Sequence, residues 1–195
     1  MTRFISKRNK VYVKDGLVFK EFENINVAKF EIEYLIRLKD KGVAVPFVVD
    51  TYDNTLVLEY IEGLTIPDFL ESSDSYSRSE TVSKHLADWF SCFYRAVEYE
   101  TTSEIRGDVN GRNFIITDDQ VFSVDFEEKI YGRMSTDLGR LLAFITTYTV
   151  KNTSAKDMLC YFLLDDFCSN LSIDSDSILY EKTKEMDSMK IRRKH

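Results

Sequence analysis

Residues 105–128 read IRGDVNGRNFIITDDQVFSVDFEE, and the fold turns on how they are read. A short apolar run ends in Arg106-Gly107-Asp108, Asn113 follows five residues after that Asp, and Asp125 comes twelve further on. After the amide lie NFIIT and VFSVDF, runs of β-branched and aromatic residues that predict an antiparallel strand pair. Two acids and a carboxamide thus fall at the ends of adjacent strands. Oxygen ligands so placed suit a hard cation such as Mg2+, which takes octahedral oxygen coordination and keeps waters and phosphate oxygens in its shell. One Asp and the Asn can hold such an ion while the other Asp orients a hydroxyl for attack. Taken alone, GDVNGRN is as readily an ordinary loop, because Asp, Asn and Gly all form turns.

Working outward, residues 2–22 predict three short strands, RFIS, KVYVK and LVFKEF. KRN and Asp15-Gly16 supply the turns, the latter a tight-hairpin signal. NVAKFEIEYLIRLKDKG spaces its apolar residues near the helical period, with Gly42 at the C-cap and Pro46 beyond it. FVVDTYDNTLVLEYIEG predicts two strands joined by an Asp/Asn turn. From Ile66 the pattern becomes helical: TVSKHLADWFSCFYRAV sets Val82, Leu86, Trp89, Phe90, Phe93 and Val97 on one stripe. Ser72 to Ser79 reads as a polar connection. STDLGRLLAFITTYTV predicts a further helix and AKDMLCYFLLDDFCSNL the last one. The expectation is an α+β chain with a sheet-rich front, a mostly helical back and a boundary near Gly63.

At 195 residues the chain is one domain, or one domain of two small lobes, and its 14 Phe and 11 Tyr supply a core. It contains no run of about 18 apolar residues, and MTRFISKRNKVYVK lacks an apolar h-region, so neither a membrane span nor a signal peptide is expected. Cys92, Cys160 and Cys168 are odd in number and scattered, which fits neither a disulfide framework nor a metal quartet and predicts a cytoplasmic protein. A formal charge of −7 argues against nucleic-acid binding by the whole molecule. The basic C-terminal tail, MKIRRKH, reads as a solvated end, or as the one segment through which nucleic acid could be met.

RGDVNGRN resembles the catalytic loop of the protein-kinase-like superfamily, Asp-x-x-x-x-Asn, and VDFEE resembles its metal-binding Asp-Phe-Gly segment. The aminoglycoside and choline phosphotransferases and the small atypical kinases are nearest in flavour, and the small kinase-like subunit of the tRNA threonylcarbamoylation machinery is of similar size. The resemblance implies a bilobal protein-kinase-like fold: residues 1–63 as an N-lobe of antiparallel sheet plus one helix on the ATP-binding side, and residues 64–195 as a minimal, mostly helical C-lobe. It implies ATP and Mg2+ as cofactors and transfer of the γ-phosphate to a hydroxyl. By the same resemblance Lys20 grips the α- and β-phosphates, held by Glu31, or by Glu33 if the register shifts. Backbone groups around Glu59 and Ile61 meet the adenine edge. Asp108 accepts or orients the hydroxyl proton, Asn113 and Asp125 hold Mg2+, and Asp137 braces the catalytic loop from behind. The plainer readings are a solvated strand Lys, a solvated helical Glu, and at Asp137 a first-turn acid with Ser135 or Thr136 as cap.

The sequence departs from the family pattern at four places. No Gly-x-Gly-x-x-Gly precedes Lys20, and the covering turn reads SKRN, where Lys7 and Arg8 could offer side-chain cations in place of close backbone amides. Arg106 stands where a His often precedes the loop. Glu127 replaces the Gly of the metal segment and is expected to be solvated, the alternative being a role with a second cation. Only eleven residues, FEEKIYGRMST, separate Asp125 from Asp137, too few for an activation loop and peptide platform, so a small-molecule or single dedicated protein acceptor is expected. Asp157, Asp165, Asp166, Asp174 and Asp176 are either a solvated helix face or a patch for a cationic acceptor. Two rival functions follow: a pseudokinase or nucleotide-binding scaffold module, and an ATPase subunit of an RNA-modification complex that uses the basic tail.

Overall fold

The computed structural model describes residues 2–4, 9–151 and 153–192. Strand β1 (Thr2–Phe4) pairs along β2 (Lys10–Lys14), which turns into β3 (Leu17–Glu21). Asp15 and Gly16 both take positive φ at that turn, 53° and 75°, the backbone whose twist matches two antiparallel strands. Helix α1 (Ile25–Asp40) starts at Asn24, whose side chain accepts the Asn26 N–H. It ends where Gly42, at φ 82°, donates to Lys39 O and Val43 donates to Leu38 O, a paired closure that satisfies the last carbonyls. Strands β4 (Val48–Tyr52) and β5 (Thr55–Glu59) complete an antiparallel sheet of order β1-β2-β3-β5-β4. The link between α1 and β4 is tied into the rest of the chain. Val43 and Val45 are buried, and the Ala44 carbonyl accepts both the Trp89 indole N–H at 2.9 Å and the Ser123 N–H at 3.1 Å.

After β6 (Leu64–Thr65) and α2 (Ile66–Glu71) comes α3 (Ser75–Ala96). This corrects the expected Ser72–Ser79 connection: the helix already begins at Ser75. Ser75, Ser79 and Ser83 recur every four residues, which places them on one helix face, and all three are buried. The Ser75 and Ser79 hydroxyls donate to Ser72 O and Ser75 O. The apolar stripe predicted further along this helix, Val82 to Val97, is buried throughout. A short α4 (Tyr99–Thr102) leads to β7 (Glu104–Ile105), a 3-10 turn at Gly111–Asn113, and the predicted strand pair β8 (Phe114–Ile116) and β9 (Val121–Ser123). Strand β10 (Ile130–Tyr131) returns to pair with β7.

Three long helices follow: α5 (Met134–Thr147), α6 (Thr153–Leu171) and α7 (Ser175–Arg192). The sequence reading made α6 the last helix, and α7 is a second correction. It lies so close along α5 that a Cβ added at Gly139 would sit 2.6 Å from Lys182 N and 2.8 Å from Ile178 O. The Ser79 hydroxyl reaches the Ala155 carbonyl at 3.3 Å, which brings α3 and α6 together over small side chains. One continuous core joins Phe22, Leu35 and Leu56 of the sheet region to Phe69, Trp89, Phe93, Phe114 and Leu141 of the helical region. Within it Trp89 stacks on Phe93 at 5.3 Å and meets Phe114 edge-on at 5.4 Å. The three cysteines are free. Among the described residues no helix is long and apolar enough to cross a membrane.

Candidate active site

The central β3 projects Lys20 into the interior, where it is 6% exposed. Its ammonium meets Glu31 of α1 at 2.7 Å, Asp125 at 2.5 Å and Glu127 at 3.1 Å. Burial alone would depress the Lys20 pKa, but the charges of Glu31 and Asp125 outweigh it and hold the ammonium above its ordinary range. Burial pushes the Glu31 carboxyl up against the pull of Lys20. At Asp125 burial also opposes ionisation, yet the Lys20 charge and hydrogen bond bring the carboxyl below its usual value. Of the two glutamates considered on α1, Glu31 meets Lys20, while Glu33 is exposed. Glu127 is not merely solvated as expected: besides Lys20 it accepts from the Asn9 side chain at 2.5 Å.

Asp125 takes φ 70°, a left-handed backbone that costs a non-glycine residue and persists only where surroundings enforce it. Two residues, Glu31 and Arg106, enforce it here. The next residue, Phe126, donates its N–H to Glu31 Oε1 at 3.2 Å. Arg106, buried beneath, donates to Val124 O at 2.7 Å, Asp125 O at 2.8 Å and Ser123 Oγ at 3.2 Å, and stacks over the Phe126 ring at 4.1 Å. Arg106, which stands where a His often precedes the loop, thus ties the Ser123–Asp125 segment to the loop that carries Asp108.

Asp137 sits fully buried in the first turn of α5. It accepts the N–H groups of Arg106 at 2.7 Å and Gly107 at 2.8 Å and the Tyr94 hydroxyl at 3.0 Å. Neither Ser135 nor Thr136 caps the helix; Arg133 holds the N-cap position without a side-chain bond. Burial pushes the Asp137 carboxyl up to about 6, the three donors pulling against it. Beyond Gly107 the loop exposes Asp108, whose Oδ2 accepts from Asn113 Nδ2 at 3.0 Å. Val124 N–H donates to Asn113 O at 2.9 Å, so Asn113 and Asp125 stand at neighbouring strand ends as the spacing predicts.

The Asn113 amide nitrogen is committed to Asp108, which leaves its carbonyl oxygen as the atom that can ligate a cation. With the Asp125 carboxylate this makes an all-oxygen set that fits a hard divalent cation. Oxygens of Glu31, Asp125 and Glu127 also lie within 4.8 Å of one another, around the Lys20 ammonium. At the end of β5 the Glu59 N–H donates to Phe47 O at 3.0 Å, and its side chain accepts the Phe47 N–H at 2.7 Å. The Ile61 N–H has no partner among the described residues. Lys7 and Arg8 lie outside the described residues. Of the acids read as either a solvated helix face or an acceptor patch, none lines the space beside Asp108. Asp166 accepts from Ser83 and Asp174 from the Ser177 N–H. A cavity of about 320 Å3 beside Asp108 is walled instead by Asn110, Arg140, Phe144, Glu185 and Met189. Glu185 had no role in the sequence reading and Met189 fell in the tail read as a solvated end; both belong to the helix it did not foresee.

A small antiparallel sheet carrying a buried Lys–Glu pair, set over a helical region with an Asp, Asn and Asp at strand ends, defines a protein-kinase-like fold of the phosphotransferase type. Residues 6–141 match the RIO domain, and the chain belongs to that family of kinase-like phosphotransferases. It is 25% identical over 157 residues to the EKC/KEOPS complex subunit BUD32 of Encephalitozoon cuniculi, covering 77% of this chain and 69% of that one. Among solved structures it is similar in fold to an ADP-bound aminoglycoside phosphotransferase, at TM-score 0.60 and 12% identity over 95% of this chain and 91% of that one. An amicoumacin kinase in complex with AMP-PNP and Ca2+ superposes at TM-score 0.58 and 11% identity, over 89% and 73%.

Proposed function

We propose that this protein binds ATP with Mg2+ in the cleft between residues 1–63 and residues 64–195 and transfers the γ-phosphate to a hydroxyl. The observation that carries the reading is the Lys20 ammonium held between Glu31 at 2.7 Å and Asp125 at 2.5 Å, which joins a sheet residue, a helix residue and the candidate metal ligand in one ion cluster. Lys20 grips phosphate oxygens, with Glu31 fixing its direction. Asn113 and Asp125 hold the cation, and the bound Mg2+ supplies charge neutralisation to the phosphates. Asp108 accepts or orients the proton of the attacking hydroxyl while Asn113 steadies its carboxylate. Asp137 and Arg106 keep the loop in place, so the protein contributes chiefly position and charge. The backbone near Glu59 and Ile61 faces the adenine edge, with the Ile61 N–H as donor. The cavity beside Asp108 takes the acceptor, a small molecule or one dedicated protein.

Calorimetric titration with ATP, with and without Mg2+, tests the reading. Wild type should bind ATP in a Mg2+-dependent manner, and Asp125→Ala should abolish that dependence. Asp108→Asn should bind ATP normally and lose about 2–4 kcal/mol of transition-state stabilisation. Binding indifferent to Mg2+ and to Asp125 would instead mark a nucleotide-binding scaffold. A second reading, ATP hydrolysis as a subunit of a larger assembly, is favoured by the relative named as a complex subunit. Under it, turnover would proceed to free phosphate and rise when a partner is added.

A further inference from the structure

Glu104 is 2% exposed, and the chemistry above makes no use of it. It lies in β7, two residues before Arg106 and four before Asp108. The Tyr34 hydroxyl donates to it from α1, three residues past Glu31. Arg37 of the same helix reaches it at 3.4 Å, and Lys129, four residues past Asp125, at 3.3 Å. Arg37 and Lys129 also flank the Tyr34 ring, 4.8 Å and 5.8 Å from its centre. The ring leans on Phe126 at 5.6 Å. Three segments thus converge on one carboxylate: α1 with Glu31, the approach to the catalytic loop, and the chain that follows Asp125.

A buried carboxylate is costly unless it is paired and hydrogen-bonded, so Glu104 holds its partners where they are. Residues three apart on a helix share a face. A helix pinned at Tyr34 therefore cannot rotate or withdraw Glu31 from Lys20 without breaking a buried hydrogen bond. Arg37 and Lys129 are each more than a third exposed at the side chain or close to it, 39% and 34%. Solvent screens their charges, and the Tyr34 bond carries most of the restraint.

We infer that Glu104 is a positioning residue: through Tyr34 it latches α1 against the catalytic and metal segments so that Glu31 meets Lys20. The inference rests on the phosphotransfer reading of that site. The test combines ATP turnover, ATP affinity by calorimetry and hydrogen exchange in α1. It compares wild type, Tyr34→Phe and Glu104→Gln, each also in a Glu31→Gln background. Either latch variant should lower kcat/KM on the order of tenfold, with no further loss once Glu31 is changed, because coupled residues are non-additive. Exchange should rise in residues 28–35 and stay unchanged in α3. Full turnover in Tyr34→Phe and Glu104→Gln, or losses that simply add to that of Glu31→Gln, would overturn the latch. If Glu104→Gln does not fold, Tyr34→Phe decides. If wild type neither binds nor turns over ATP, the proposed function falls, and the latch stands or falls on the exchange in α1 alone.

Discussion

Asp137 shows how much a single buried residue organises. Two backbone N–H groups and a tyrosine hydroxyl converge on one carboxylate, which fixes the turn from which Asp108 projects. The arrangement has a thermodynamic signature. The folded carboxyl holds its proton up to about pH 6, whereas an unfolded Asp releases it near 3.9. A group whose pKa is raised on folding gives its stabilisation below the unfolded value and loses it as pH rises through the folded one. Between about pH 4 and pH 7 wild type should therefore lose roughly 2 kcal/mol relative to Asp137→Asn. Denaturant unfolding of both proteins at pH 4 and pH 7 measures this, and an equal pH response in the two would contradict it. At this scale the candidate site residues were legible through their types and intervals, which resemble a family pattern. Lys20, Glu31, Asp108, Asn113, Asp125 and Asp137 all take up the neighbour relations their spacing implies. Arg106 and Glu104 were not legible as working parts, and Glu127 was expected to be solvated, with a second cation as the alternative. Their importance comes from burial and partners far away in sequence, and a lone Arg or Glu announces neither.

The elements followed local pattern where pattern and burial agree. The Asp-Gly hairpin, α1 with its Gly42 closure, and the β8–β9 pair each carry a complete local signal. The first two turns of α3 and the whole of α7 do not. In α3 the buried face is made of serines, so polarity suggested a loop although the interval of four was helical. In α7 the buried residues are Ile178 and Glu181, too sparse a stripe to read, and the helix is held by a notch in its neighbour. That notch is Gly139. Gly139→Val would drive a side chain into the Ile178 carbonyl and Lys182 nitrogen, and it should cost roughly 2–3 kcal/mol, an overpacking penalty that α7 can relieve only by moving away. Thermal unfolding beside Gly16→Asn, a change at an open left-handed turn, checks it. A Gly139→Val protein as stable as wild type would mean that α7 is not docked there.

Over the whole molecule, economy is what separates this chain from regulated kinases. The eleven residues between Asp125 and Asp137 are spent on β10, which pairs back onto β7, and a direct entry into α5. No segment is left over to be ordered by phosphorylation. Phosphatase-treated protein should therefore turn over ATP at the same rate as untreated protein. A loss of rate that ATP preincubation restores would show a covalent switch elsewhere in the chain. The same economy leaves one aromatic residue in an unusual position. Trp89 is the single tryptophan, and its indole N–H is bonded to Ala44 in the link that carries the chain from α1 back to the sheet. Its emission therefore comes from one ring at the seam between sheet and helices. The fold has thereby placed an optical label where the two halves meet, and a shift of one against the other changes the light from that ring without any dye being attached.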